Sequence, residues 1–309
     1  MSKLSEADDH FHVPATTQPW WTETCWFSFD LPERDLSLTV YPFFRPNLGI
    51  CSLAVYLWDA SAHEPWAVRY ARSYWHLPMP RSDLVDLHIE GLRYERVEPL
   101  HRYRVTYEDA DVLAFELEYT GLRAPHEAGI ADGVGHFDQP CRVVGGLRLR
   151  GETLAVDGLG MRDRTWSERR EDRRGRGSGY TYGHVSADEQ FLVMTNVEGN
   201  QGSFRTGVFT GYLVRDGVYA PLTDAARRVV ERVHGYPVRI ELEATDALGR
   251  RLEASGTTRN RLADQATSSQ FAWMSMTEWH VAGGGVMYGE DQEVWSPDRL
   301  GRELTALDT

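Results

Sequence analysis

The chain has 309 residues, 41% of them hydrophobic and 26% charged, with a formal net charge of −13. That is globular composition with room for one large or two medium domains, and the acidic balance argues against nucleic acid or an anionic membrane as the main partner. Lys3 is the single lysine, which excludes a Walker-type phosphate loop, a pyridoxal Schiff base and lysine catalysis, and leaves basic work to arginine.

The first ten residues, Met1 to His10, contain no apolar stretch, and no apolar run in the chain approaches the roughly 18 residues of a membrane helix. A cytoplasmic protein without stable membrane insertion is expected, with a frayed N-terminus. His10 and His12 stand two apart in that terminal stretch and the other histidines are dispersed, so neither a metal nor a cofactor is expected. Cys25, Cys51 and Cys141 form no C-x-x-C pair and read as small buried side chains.

Strand signals then follow one another. Residues 24–30, 36–43 and 50–58 are rich in β-branched and aromatic side chains, with turn residues between them. Residues 102–107 and 112–119 flank a Glu108–Asp111 turn and predict a hairpin, whose second arm alternates Leu113, Phe115, Leu117 and Tyr119 with Ala114, Glu116 and Glu118. Val143–Arg150, a Gly151-Glu152 turn and Thr153–Asp157 predict a strand, turn and strand. The arginine-rich stretch 169–179 reads as a solvated linker or lid. Further strands are expected over 179–184, 190–195, 207–214 and 238–245, while Thr223–Gly235 suits a helix or a strand equally. Many strands and almost no helix mean an all-β sandwich or closed antiparallel barrel, and ten Trp with fourteen Tyr suit a lined cavity.

Chemistry concentrates after residue 158. Asp163 falls beside Arg162, Arg164 and Trp166, with Arg169 close behind. Such a cluster is costly to bury unless its charges pair, so it either staples two elements or surrounds a ligand. As a proton donor Asp163 must be neutral: burial raises its pKa and the flanking arginines lower it. If the guanidiniums share its pocket, it stays ionised as base or anchor. Trp166 is either a cation-stabilising wall or a core residue. Tyr180, Tyr182 and His184 share one strand face, as do Glu278 and His280, and Tyr288 and Glu290; a His and a carboxylate in one cavity could move a proton, whereas an aromatic stripe alone is core. The Gly283–Glu290 stretch reads as a bent strand. No Gly-x-Ser-x-Gly elbow is present, since residues 175–179 lack the flanking strand and helix, and dinucleotide binding lacks its βαβ context.

His136-Phe-Asp-Gln139, Gly145-Gly146, Gly151-Glu152, the run Gly158-x-Gly160-x-Arg162-Asp163-Arg164-x-Trp166 and a late Gly289-Glu-x-Gln-Glu293-Val-Trp295 together carry a resemblance. The chain resembles bacterial proteins of the hydroxyneurosporene synthase (carotenoid 1,2-hydratase) and AttH-like group. The resemblance implies two consecutive lipocalin-like barrels, placed here at 1–160 and 161–309, and water addition to, or cyclisation of, isoprenoid or polyketide substrates. It also implies that Asp163, matching the proton donor of the hydratases, does the same work with Trp166 beside it. Ser167, where relatives tend to carry Gly, and the arginine-rich run that follows both depart from the pattern. The expectation is a cofactor-independent hydratase, lyase or cyclase, with Asp163, Trp166 and His184 catalytic and Arg162, Arg164, Tyr180, Tyr182, Glu278, His280 and Tyr288 contacting a hydrophobic small molecule. Two alternatives remain open: a carrier whose Arg162 and Arg164 anchor an anionic head group, and a structural protein.

Overall fold

Alternation of apolar and polar side chains, with β-branched and aromatic residues at the buried positions, drives most of the chain into antiparallel strands. The computed structural model describes residues 3–131, 133–170, 178–198, 205–267, 270–297 and 301. The chain divides into two compact units, the first comprising Met1–Leu31, Leu38–Leu57 and Tyr70–Arg170, and the second Pro32–Ser37, Trp58–Arg69 and Glu171–Thr309. The fold is all-β, with two consecutive lipocalin-like units: a curled half-barrel sheet and a closed eight-stranded barrel.

The first sheet contains β1 (Trp21–Leu31), β2 (Leu36–Arg45), β3 (Ile50–Trp58), β4 (Tyr70–Pro78), β5 (Asp86–Ile89), β6 (Leu92–Glu98), β7 (Arg102–Asp109), β8 (Leu113–Gly121), β9 (His126–Ala131), β10 (Val134–Leu149) and β11 (Glu152–Glu168). They lie in the order β4-β3-β2-β1-β11-β10-β8-β7-β6-β5, with β9 on β10. The expected 102–119 hairpin is β7–β8, and its alternating Leu113, Phe115, Leu117 and Tyr119 are all buried. Residue 160 lies inside β11, which runs unbroken from Glu152 to Glu168.

In unit 2, β12 (Ser178–His184), β13 (Gln190–Glu198), β14 (Arg205–Arg215), β15 (Val218–Val233), β16 (Tyr236–Asp246) and β17 (Arg251–Thr258) are followed by β18 (Leu262–Thr267), β19 (Gln270–Val281) and β20 (Val286–Trp295). Pairing of β17 with β19 closes the barrel. Residues 223–233 are strand, part of β15, because β16 offers them a ladder of partners that a local helix cap cannot match. Gly283–Gly285 are the turn before β20 rather than strand, with Gly283 at φ +71. Cys25, Cys51 and Cys141 are free and buried.

The interior face of β11 carries Arg162, Arg164 and Trp166, all at 1% exposure or less. Arg162 Nη2 donates to Asp9 Oδ1 at 2.5 Å, and its guanidinium lies 3.9 Å from the Tyr103 ring centroid and 4.8 Å from that of Phe137. Asp9 Oδ2 also accepts from the Tyr103 hydroxyl at 2.7 Å and the Leu100 N–H at 2.6 Å. Burial works to raise the Asp9 carboxyl, but Arg162 and these donors hold it below the ordinary carboxylate range. Arg164 Nη2 donates to Glu23 at 3.0 Å and to the His10 carbonyl at 2.9 Å. The His12 ring stacks on Trp166 at 4.3 Å, and Trp166 packs with Trp21 and Phe137. Gly135 makes room for it, since a Cβ there would come within 2.5 Å of the indole. The N-terminal residues expected to fray are thus packed into unit 1, with Lys3 N–H on Glu127 at 2.9 Å.

Asp9→Ala is expected to destabilise the protein by about 3–5 kcal/mol in chemical denaturation, because a buried guanidinium loses its counter-charge. Asp9→Leu combined with Arg162→Met should recover most of that loss. A change under about 1 kcal/mol, the scale of an exposed pair, would mean that Arg162 does not depend on Asp9.

Candidate active site

Side chains alternate along a strand, so Asp163 projects from β11 on the face opposite Arg162 and Arg164. Of the two readings left open for this cluster, an Arg–Asp–Arg ion pair is not formed; both arginines are paired elsewhere, and Trp166 also lies on their face. Asp163 has other neighbours. It stands directly across the ladder from Asp138 on β10 and from Trp26 on β1, a separation of about 4.5–5.5 Å between Cβ atoms. One step along, His136 and Thr24 flank Thr165 in the same way.

Asp138, His136, Thr165, Arg169 and Tyr41 form a hydrogen-bonded chain. His136 Nε2 meets Asp138 Oδ2 at 3.0 Å and its Nδ1 meets Thr165 Oγ1 at 2.8 Å. Arg169 Nη2 donates to the same Thr165 oxygen at 2.8 Å, and its Nη1 to the Tyr41 hydroxyl at 3.4 Å. Tyr41 meets Trp26 edge-on at 5.1 Å between centroids. Asp138 is fully buried and Asp163 half-buried. Three buried atoms of this face, Asp163 Oδ1, Trp26 Nε1 and Thr24 Oγ1, have no hydrogen-bond partner.

Burial pushes the Asp163 carboxyl up to about 6; the charge on His136 pulls against that and Asp138 pushes it up again. For His136 burial favours the neutral ring, yet the charge and hydrogen bond of Asp138, with Asp163 behind, raise its pKa. Asp163 and His136 each act on the other's charge, an arrangement that suits a proton donor working near neutrality. His136, Asp138, Thr165, Arg169 and Trp26 were not among the expected site residues. The signal was present in His136-x-Asp138, whose spacing of two places both side chains on one strand face.

The remaining candidates lie in unit 2. Tyr180, Tyr182 and His184 share a buried face of β12, and the Tyr182 hydroxyl reaches Glu290 at 3.5 Å. Burial lowers His184 to about 4, leaving it neutral. Glu278 accepts from Tyr288 at 3.1 Å and from Arg259 at 2.5 Å, and meets His280 Nε2 at 3.0 Å. Burial would raise Glu278, but those three partners hold it below its usual range. His280 is exposed, so this second cluster is a solvated network. Among the described residues no group of three or more His, Cys, Asp or Glu is arranged to hold a metal, and no helix is long and apolar enough to cross a membrane. Most of the arginine-rich stretch, residues 171–177, lies outside the described residues.

The fold and this face define an all-β, tandem lipocalin-like protein with a half-buried carboxyl set against a His–Asp pair. The chain belongs to the family described as Domain of unknown function (DUF7064), matched over residues 5–289. No curated protein matches it. In solved structures its fold is similar to that of a protein assigned as AttH from Nitrosomonas europaea, with TM-score 0.64 and 15% identity over 91% of this chain and 94% of that one. CghA is similar at TM-score 0.60 and 14% identity, covering 90% of this chain and 89% of that one. Kievitone hydratase from Nectria haematococca is similar at TM-score 0.57 and 12% identity, covering 93% of each.

The raised Asp163 pKa has a consequence for stability. Between its unfolded value of 3.8 and its folded value of about 6 the native state binds the proton more tightly, so stability falls as pH rises through this window. Above it, ionised Asp163 costs up to about 3 kcal/mol. Asp163→Asn should therefore stabilise the protein at pH 8 far more than at pH 4, as read by denaturation at each pH. An equal effect at both would contradict the shift.

Proposed function

We propose that the protein is a cofactor-independent enzyme of the hydratase, lyase or cyclase kind, acting on an apolar small molecule with Asp163 as the proton donor or acceptor. The observation that carries this is a carboxyl held up to about 6, with one buried oxygen unbonded, directly across from Asp138. A group with such a pKa exchanges protons in both directions at neutral pH. His136, bridging Asp138 and Thr165, is the partner that would return a proton to Asp163 after each turnover. Trp26 takes the part of aromatic wall that Trp166 was expected to play, since Trp26 and Asp163 are ladder partners. The shared fold of kievitone hydratase supports the hydratase class. Tyr180, Tyr182 and His184, with Tyr288, Glu278 and His280 nearby in the ladder, are the candidates for further ligand contact in unit 2.

The carrier reading is weaker. It needs a cationic anchor, and Arg162 and Arg164 are each committed to a buried carboxylate.

Incubation with lipophilic extract of the source cells, followed by mass spectrometry for a gain or loss of one water or an isomer shift, tests the proposal. Asp163→Asn should lower kcat by about 10²–10⁴ while KM stays within a few-fold. If Asp163 donates the proton, kcat/KM falls about tenfold per pH unit above about 6; if it accepts one, the profile rises toward that pH and then levels. Turnover by Asp163→Asn at the unaltered rate would remove Asp163 from the chemistry.

A further inference from the structure

We propose that this face recognises an oxygen function on the substrate, a ketone or enone carbonyl rather than a bare hydrocarbon, through the Trp26 indole N–H and the Thr24 hydroxyl. The inference deepens the reading of Asp163 given above and rests on the same face, but on different atoms. Thr24 and Trp26 are two apart on β1 and so point the same way, opposite Thr165 and Asp163 respectively. They are 1% and 5% exposed, and neither Thr24 Oγ1 nor Trp26 Nε1 has a hydrogen-bond partner. An indole nitrogen only donates, so its complement is an acceptor atom; a hydroxyl both donates and accepts. Buried polar groups in proteins are nearly always satisfied, which makes two unmatched donors on one face a request for a ligand oxygen.

Other buried indoles without a partner differ in setting. Trp21, Trp273 and Trp279 stand among apolar and aromatic side chains of their cores. Trp26 instead faces a carboxyl that exchanges protons. The chemistry fits that placement. When Asp163 as base takes a proton from the carbon beside a carbonyl, the C–H electron pair moves into the C–C bond and the carbonyl pair onto oxygen, giving an enolate. That oxygen gains the charge, and fixed donors aimed at it act where the charge develops. A hydrocarbon gains nothing from either donor and leaves both unpaired.

Two probes of one carbon skeleton separate the cases: 4-phenyl-3-buten-2-one and 1-phenyl-1-butene, titrated into the full chain. Binding is followed through indole N–H cross-peaks in ¹H–¹⁵N spectra, with the Trp26 peak assigned by Trp26→Phe. The ketone should shift the Trp26 peak and bind about tenfold more tightly than the hydrocarbon, the scale of one or two hydrogen bonds. Trp26→Phe should bring the affinities of the two probes to within about twofold of each other, and Thr24→Val should reduce the preference in part. Equal affinities, binding of neither probe, or a Trp26 peak that stays still would overturn the proposal. So would an ordered water on Trp26 Nε1 that the ketone fails to displace. The same titration on Asp163→Asn keeps the two proposals apart. A surviving ketone preference with unaltered turnover sinks the acid–base reading alone, and an absent preference with abolished turnover sinks the oxygen subsite alone.

Discussion

Arg162 and Arg164 are neutralised inside unit 1 by Asp9 and Glu23, and the character of the opposite face follows from that pairing. A strand has a period of two, so committing residues 162, 164 and 166 to one face sends 163 and 165 to the other. Had the arginines shared a face with Asp163, their positive charge would have fixed it as a carboxylate. Placed on the far side, they act only weakly on it, behind His136, Asp138 and Arg169. The interior pairs also bind the N-terminal turn to the sheet, because Asp9 reaches Arg162 across 153 residues of sequence. A structural contact of the first turn therefore sets the chemistry available at residue 163.

The second constraint is the opposition of Asp138 and Asp163 across the β10–β11 ladder. Like charges directly opposite destabilise a sheet, and the sequence answers with a histidine whose ring bonds one carboxylate and lies near the other. A proton on Asp163 leaves one carboxylate facing the His136 ring, a set that carries less charge and tolerates burial better. Removing a proton from that set leaves an excess negative charge in poor solvation.

Much of the architecture was legible. The 102–119 hairpin, the strand and turn around Gly151, and the all-β class follow from period-two alternation and turn residues, which are local signals. Asp163 itself was visible as an unusual carboxylate beside an apolar strand. Its partners were not, because proximity in sequence suggested Arg162 and Arg164, while proximity in the fold is set by ladder register with β1 and β10. Proximity in sequence likewise set Trp166 beside Asp163, whereas the ladder partner of Asp163 is Trp26. Thr223–Gly235 stayed ambiguous for a related reason: its caps are local, but the strand partners that decide it lie on β16. The N-terminal turn read as loose because nothing near it in sequence reveals that Asp9 meets a guanidinium.

Unit 2 repeats the interior solution of unit 1. Arg227 donates to Asp291 at 2.6 and 2.8 Å, and Arg232 to Glu293 at 2.6 and 2.8 Å, with Thr181 on Asp291 at 2.7 Å. A lipocalin-like sheet ordinarily has room inside for a ligand, with alternate side chains lining the chamber. Here the interiors are filled by paired guanidiniums and carboxylates packed among aromatic rings, and inserting an apolar ligand there would strip counter-charges from buried arginines at several kcal/mol each, on the order found for broken buried pairs. That cost displaces any apolar binding from the interiors. In unit 1 the opposite face of β1 and β11 differs: Trp26, Thr24 and Asp163 bring neutral donors and a carboxyl raised to about 6, with no paired guanidinium among them.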